Sequence, residues 1–126
     1  MKQPDISIGC VANIFSRQMT FREAGDTEYG HTHEFDHLTL LASGSLQVTV
    51  DGNVTMFKAP HMIYIHKDKN HQLVALEPNT VVYCIHALRD GNGVDDIIDP
   101  AMVPAGVNST LLAASSLTKP FIVYKT

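Results

Sequence analysis

The sequence predicts an all-β domain, a sandwich or barrel of short antiparallel strands. Three observations lead there. Apolar stretches rich in Val, Ile, Leu, Phe and Thr recur at spacings of roughly 8 to 12 residues. Several alternate apolar with polar side chains, the period of a strand with one buried face. Between them lie Gly, Pro, Asn and Asp, the residues that turn a chain. The 126 residues suit one domain, able to bury roughly two-thirds of its unfolded surface.

Taken in order, Ile6 to Phe15 reads as a first strand, apolar and partly β-branched. Met19 and Phe21 alternate within Arg17 to Glu23, giving a second strand that enters the loop Ala24-Gly25-Asp26. His31 and His33 fall at a strand end, with Glu34-Phe35-Asp36 looping after them. His37 to Ala42 forms a strand that stops at Ser43-Gly44-Ser45, and Leu46, Val48 and Val50 alternate in the next. Asp51-Gly52 is a two-residue hairpin turn, because Gly accepts positive φ, and the chain returns through Val54 to Phe57. Met62 to Ile65 follows the break at Pro60. Then come the charged stretch His66 to Asn70 and two strands, His71 to Leu76 and Val81 to Leu88, paired about Glu77-Pro78-Asn79. Beyond Arg89 the pattern fades: Val94 to Ile98 and Leu111 to Ala114 fit single helical turns, and Phe121 to Tyr124 a last strand. No repeat or second domain shows.

Composition narrows the function. A net charge of -4 with only nine Lys and Arg, none clustered, excludes sequence-independent nucleic-acid binding. With 44% hydrophobic and 17% charged residues the chain is no disordered segment. No apolar run approaches the roughly 20 residues that span a bilayer. Pro4 and Asp5 interrupt any secretory apolar region, so a cytoplasmic location is expected. Cys10 and Cys84, both in apolar surroundings, then read as free thiols. No Ser-His-Asp arrangement, glycine-rich phosphate loop or HExxH is present.

Histidine is the residue in excess, with seven copies. On a strand, His31 and His33 share a face, which is half a metal site. His37 and His71 follow, each beside an apolar run. The series Gly25, five residues, His31-Thr32-His33, three residues, His37, six residues, Gly44 resembles the first motif of the cupin superfamily, in which a Glu stands where His37 stands here. Of the second cupin motif, His71 agrees.

The resemblance implies a jelly-roll β-barrel or sandwich of one domain, its core about 12–88, with an irregular C-terminal tail, 89–126, packed on it. It implies one divalent transition metal on His31, His33, His37 and His71, iron first, with manganese, nickel, zinc, cobalt or copper as alternatives. Imidazoles suit such ions and poorly suit Ca or Mg. Should His37 point past the ion, a three-histidine site is left. Without the Glu the site keeps its full positive charge, which favours a small anionic or chelating oxygen ligand.

His86, counted by twos from Cys84, is expected inside the barrel as a packed histidine or one that hydrogen-bonds a ligand residue, and Tyr64, Tyr83 and Gln72 are candidate pocket residues. His61 and His66 read as surface residues, and Glu34 and Asp36 as solvated loop carboxylates. Three functions fit: a non-haem dioxygenase-like enzyme, a non-catalytic small-molecule-binding module, and a metal-dependent isomerase or lyase. Exposed edge strands and the apolar N-terminal strand predict a homodimer.

Overall fold

The structure, a computed structural model, describes residues 2–11, 14–31, 37–66, 69–87 and 121–124. Among them all regular structure is β. The strands are β1 (Asp5–Val11), β2 (Ile14–Phe21), β3 (Thr27–His31), β4 (His37–Ser43) and β5 (Ser45–Val50). They continue as β6 (Asn53–Lys58), β7 (His61–Ile65), β8 (His71–Ala75), β9 (Thr80–Ala87) and β10 (Phe121–Tyr124). They form a six-stranded sheet ordered β10-β1-β2-β9-β4-β7 and a four-stranded sheet ordered β3-β8-β5-β6, and every pairing is antiparallel. The last strand joins the first, Ile8 lying opposite Val123, so the large sheet takes in chain on both sides of 12–88. The expected helical turns at 94–98 and 111–114 lie outside the described residues. No helix among the described residues is long and apolar enough to cross a membrane.

The alternation that predicted strands also sets their inner faces. Along β2 the buried positions are Phe15, Arg17, Met19 and Phe21, and along β9 they are Thr80, Val82 and Cys84. The small sheet contributes Leu46 and Val48 from β5 and His71, Leu73 and Ala75 from β8. The two inner faces make one core, in which Phe15, Phe21, Ile8, Met19, Leu41, Leu46, Ile65, Leu73 and Val82 are the largest fully buried side chains. Each such side chain stabilises the fold by roughly 1.5–3 kcal/mol relative to leaving it in water.

One expectation is corrected. Ile6 to Phe15 is two strands, because β1 and β2 form a hairpin whose register runs from Asp5 opposite Thr20 to Val11 opposite Ile14. The inward positions are even-numbered in β1, at Ile8, and odd-numbered in β2, from Phe15 on. That switch of parity marks the reversal, which a mainly apolar composition conceals.

Two turns depend on backbone freedom. Asp51 and Gly52 both have positive φ, 47° and 83°, as a two-residue hairpin requires. Gly44, at φ 84°, packs against Thr80 so closely that a Cβ would stand 2.8 Å from the Thr80 Cα. Thr80 itself is fully buried, its hydroxyl donating to the Glu77 carbonyl at 2.9 Å. Among the described residues β6 and β7 are edge strands of the two sheets on one side of the sandwich, joined through the cis Ala59-Pro60 bond.

Candidate metal site

Strand register sorts the interior into rows that run across both sheets. In the large sheet Arg17, Cys84, Thr39 and Ile63 lie in one row, and Phe15 and His86 lie in the next. In the small sheet Glu28, Leu73, Val48 and Thr55 lie in one row, with His31, His71, Val50 and Asn53 in the next. Arg17 Nη1 reaches across the core to Glu28 Oε1 at 3.2 Å. That ion pair ties the two rows together, so the next rows occupy one end of the sandwich. His31, His71 and His86 all have their backbones there, and His37, opposite Ile65, begins β4 at the same end.

Of the four histidines predicted as ligands, His71 is the one whose side chain is described. It is 3% exposed, and its Nδ1 stands 3.2 Å from the Lys69 carbonyl. A carbonyl can only accept, so in the neutral ring Nδ1 carries the proton and Nε2 the lone pair, the tautomer in which a ligating histidine is held by a backbone partner. Register sets His31 directly opposite it on the neighbouring strand, where Cα atoms stand about 4.5–5.5 Å apart. Of His31, His37 and His86 the structure describes the backbone, and His33 lies outside the described residues, as do Glu34 and Asp36. Among the described residues no group of three or more His, Cys, Asp or Glu is assembled for a metal. The buried imidazole, its fixed tautomer and the paired His31 backbone fit a borderline divalent ion.

Beneath the histidines lies a polar layer. Arg17 and Glu28 have side chains only 7% and 13% exposed, and Arg17 Nη1 also approaches Met19 Sδ at 3.2 Å. Thr39 and Cys84 share a contact of 3.7 Å between Oγ1 and Sγ. Burial pushes the Cys84 thiol up to about 11; the Thr39 hydroxyl and Arg17 pull the other way, and Glu28 adds to the rise. Cys84 is therefore a neutral thiol, neither nucleophile nor thiolate ligand at neutral pH. Sequence reading missed Arg17, Glu28 and Thr39 as site residues. The signal for Arg17 was present: a cation in the inward series Phe15, Met19, Phe21.

Of the candidate pocket residues, Tyr83 and Gln72 face outward, and Tyr64 lines a cleft. Tyr83 lies between the buried Val82 and Cys84, and so on the outer face, where it accepts a hydrogen bond from Gln18 Nε2 at 2.6 Å. Gln72 lies between the buried His71 and Leu73, again outward. Tyr64 is 57% exposed, with its ring edge-on to that of the exposed His66. Tyr64 does line a cleft of about 270 Å³ between β6 and β7, together with Val48, Val50, Phe57, Ile63 and Lys69. Val50 belongs to the His71 row, so the cleft reaches the histidine end.

No protein-family model and no curated protein matches the chain. Solved structures do. KdgF from Halomonas sp. is 20% identical with a TM-score of 0.57, over 66% of this chain and 76% of that one. A cupin superfamily protein from Desulfitobacterium hafniense is 14% identical with a TM-score of 0.59, over 71% and 82%. An RmlC-like cupin family protein with a double-stranded β-helix fold, from Methanocaldococcus jannaschii, is 9% identical with a TM-score of 0.58, over 68% and 81%. Strand order, antiparallel pairing and these likenesses agree, and the chain has the RmlC-like cupin fold.

Proposed function

We propose that the protein is a metal-dependent cupin that holds one divalent transition ion, iron first, on His31, His33, His37 and His71. The reaction proposed is dioxygenase-like, on a small anionic molecule that chelates the ion through oxygen. The observation that carries this reading is the buried His71, whose Nδ1–H is taken by the Lys69 carbonyl and whose strand neighbour is His31. Bound there, the ion would act as a Lewis acid and bring substrate and dioxygen together.

The chain's own residues would do the rest. His37, in place of a carboxylate, leaves the site cationic and selects an anion. The cleft of about 270 Å³ suits a small ligand, since drug-sized pockets begin near roughly 300 Å³. Val48, Val50, Phe57 and Ile63 would take its apolar part, and Lys69 and Tyr64 offer polar contacts at the rim.

One observation favours a second reading, a binding module without catalysis. Arg17 and Glu28 hold each other, Cys84 stays protonated, and Tyr83 and Gln72 lie outward. An isomerase or lyase would need an acid or base at the cleft, where Asp51, Tyr64 and Lys69 are the described candidates. Either reading includes a second copy of the chain as partner, supported by the exposed Leu38, Met62 and Tyr64 on one sheet face.

Metal content of tag-free protein tests the proposal, measured beside His33→Ala and His71→Ala. Near-stoichiometric iron that disappears in both variants, with oxygen uptake on a β-dicarbonyl or phenolic compound, is the expected result. No transition metal after anaerobic reconstitution rejects it. Metal without oxygen uptake selects the binding module.

A further inference from the structure

The hairpin turn between β5 and β6 reaches over to the segment that leads into β8, and Asp51 makes three links there. Its backbone N–H donates to the Asn70 carbonyl at 2.9 Å. Its Oδ1 accepts the Asn70 N–H at 3.1 Å, and its Oδ2 stands 3.2 Å from Lys69 Nζ. The same short segment supplies the Lys69 carbonyl that takes the His71 Nδ1–H at 3.2 Å. The turn and the histidine are thus connected through two consecutive residues.

We propose that Asp51 is a positioning residue for His71. By clasping Asn70 on both backbone groups it fixes the Lys69 carbonyl, which in turn holds the proton on Nδ1 and presents Nε2 as the ligand atom. The ion pair with Lys69 is the lesser link. Its side chains are 49% and 44% exposed, and exposed pairs are weakened by solvent and salt. The Asp51 Oδ1 that accepts the Asn70 N–H carries the effect. Partners one step behind a ligating histidine commonly change metal affinity by roughly 10- to 100-fold when removed.

Two variants separate this role from turn formation. Asp51→Gly adopts the positive φ of 47° without strain and keeps the backbone N–H, but has no carboxylate. Asp51→Asn keeps an acceptor for the Asn70 N–H and loses the charge. The first readout is the nitrogen-15 shifts of the His71 ring in metal-free protein at about pH 8, where an imidazole is neutral. The second is zinc(II) affinity by titration calorimetry, and it alone rests on the metal-site reading above.

The parent and Asp51→Asn should hold the Nδ1–H form and bind zinc within about threefold of each other, while Asp51→Gly mixes the two tautomers and binds about tenfold more weakly or worse. Amide resonances elsewhere in the sheets report that the fold is kept. An Asp51→Gly protein with the parent's His71 tautomer overturns the proposal, as does an Asp51→Asn protein that falls as far as Asp51→Gly. A parent that binds no zinc but shows the Asp51-dependent tautomer refutes the metal site and leaves the positioning role standing.

Discussion

The two ends of the sandwich are built from the same strands and hold opposite chemistry. At one end the inner rows are Met19, Val82 and Leu41 in the large sheet against Leu46, Ala75 and Phe57 in the small one, with Phe21 and the sealed Thr80 beyond them. At the other end the rows carry His71 and, one layer in, Arg17, Glu28, Thr39 and Cys84. The first end is mainly hydrocarbon, whose loss costs stability in proportion to volume, and the buried Asp26 beside Ala75 accepts the Glu23 N–H at 3.1 Å. The second end holds polar groups that must be paired to be tolerated, and each pairing costs some of the stability the first end supplies.

If that division is right, truncation at the apolar end gives the largest loss. Phe21→Ala should destabilise by about 3–5 kcal/mol, read as a lower denaturant midpoint with an unchanged slope. Breaking the buried ion pair comes next. Glu28→Ala leaves the Arg17 cation uncompensated and should cost about 3 kcal/mol, near the low end for a buried pair because Glu28 is not fully sealed. The double variant Arg17→Met, Glu28→Leu removes both charges and should recover most of that loss. Equal losses in the single and double variants would mean that the pair itself stabilises the fold, and the contrast between the ends would weaken.

Gly44→Ala probes the apolar end by crowding it. The new Cβ would meet the Thr80 backbone at 2.8 Å, at a φ of 84°, and about 2 kcal/mol should be lost. The Asp51-Gly52 turn at the histidine end offers the counterpart, since nothing lies within 4 Å of a Cβ at Gly52. Gly52→Ala should cost only the backbone term, about 1 kcal/mol. Similar losses at both glycines would show that conformation outweighs packing at Gly44.

Much of the fold was legible in the sequence because a two-residue period survives wherever one face is buried. Strand β4 begins at His37, and β5, β7 and β8 stand within a residue or so of where alternation put them. The β1–β2 hairpin was hidden because Val11 and Ile14 flank the reversal without a Gly or Asp-Gly to announce it. The site was legible in part. Spacing singled out His31, His37 and His71 as a set, and the register lays their backbones toward one end of the fold. Spacing along one strand says nothing of what faces it from the other sheet, so Arg17 stood out in its inward series while its partner Glu28 and the clasp of Asp51 on Asn70 had no sequence signature. Tyr83 and Gln72 went astray for a related reason: being near a ligand in sequence, they alternate onto the opposite face.

The smallest effect sharpens the comparison by pH. Cys84, in the polar layer, has burial as the main cause of a thiol raised from 9.0 to about 11. In the unfolded chain the thiol ionises first, so between those values the folded state keeps a proton that the unfolded state has released. Stability then falls as pH rises. The contribution should be fully present below pH 9 and lost on approaching about 11. Cys84→Ala lacks the titrating group, so the difference in denaturant stability between parent and variant should shrink over that window and stay flat below it. Other groups titrate there in both proteins and cancel in the difference. A difference that is flat from neutral pH to about 11 would mean that the thiolate is accommodated in the folded protein. The layer beneath the histidines would then be more polar, and more open to water, than the packing of Arg17 and Glu28 implies.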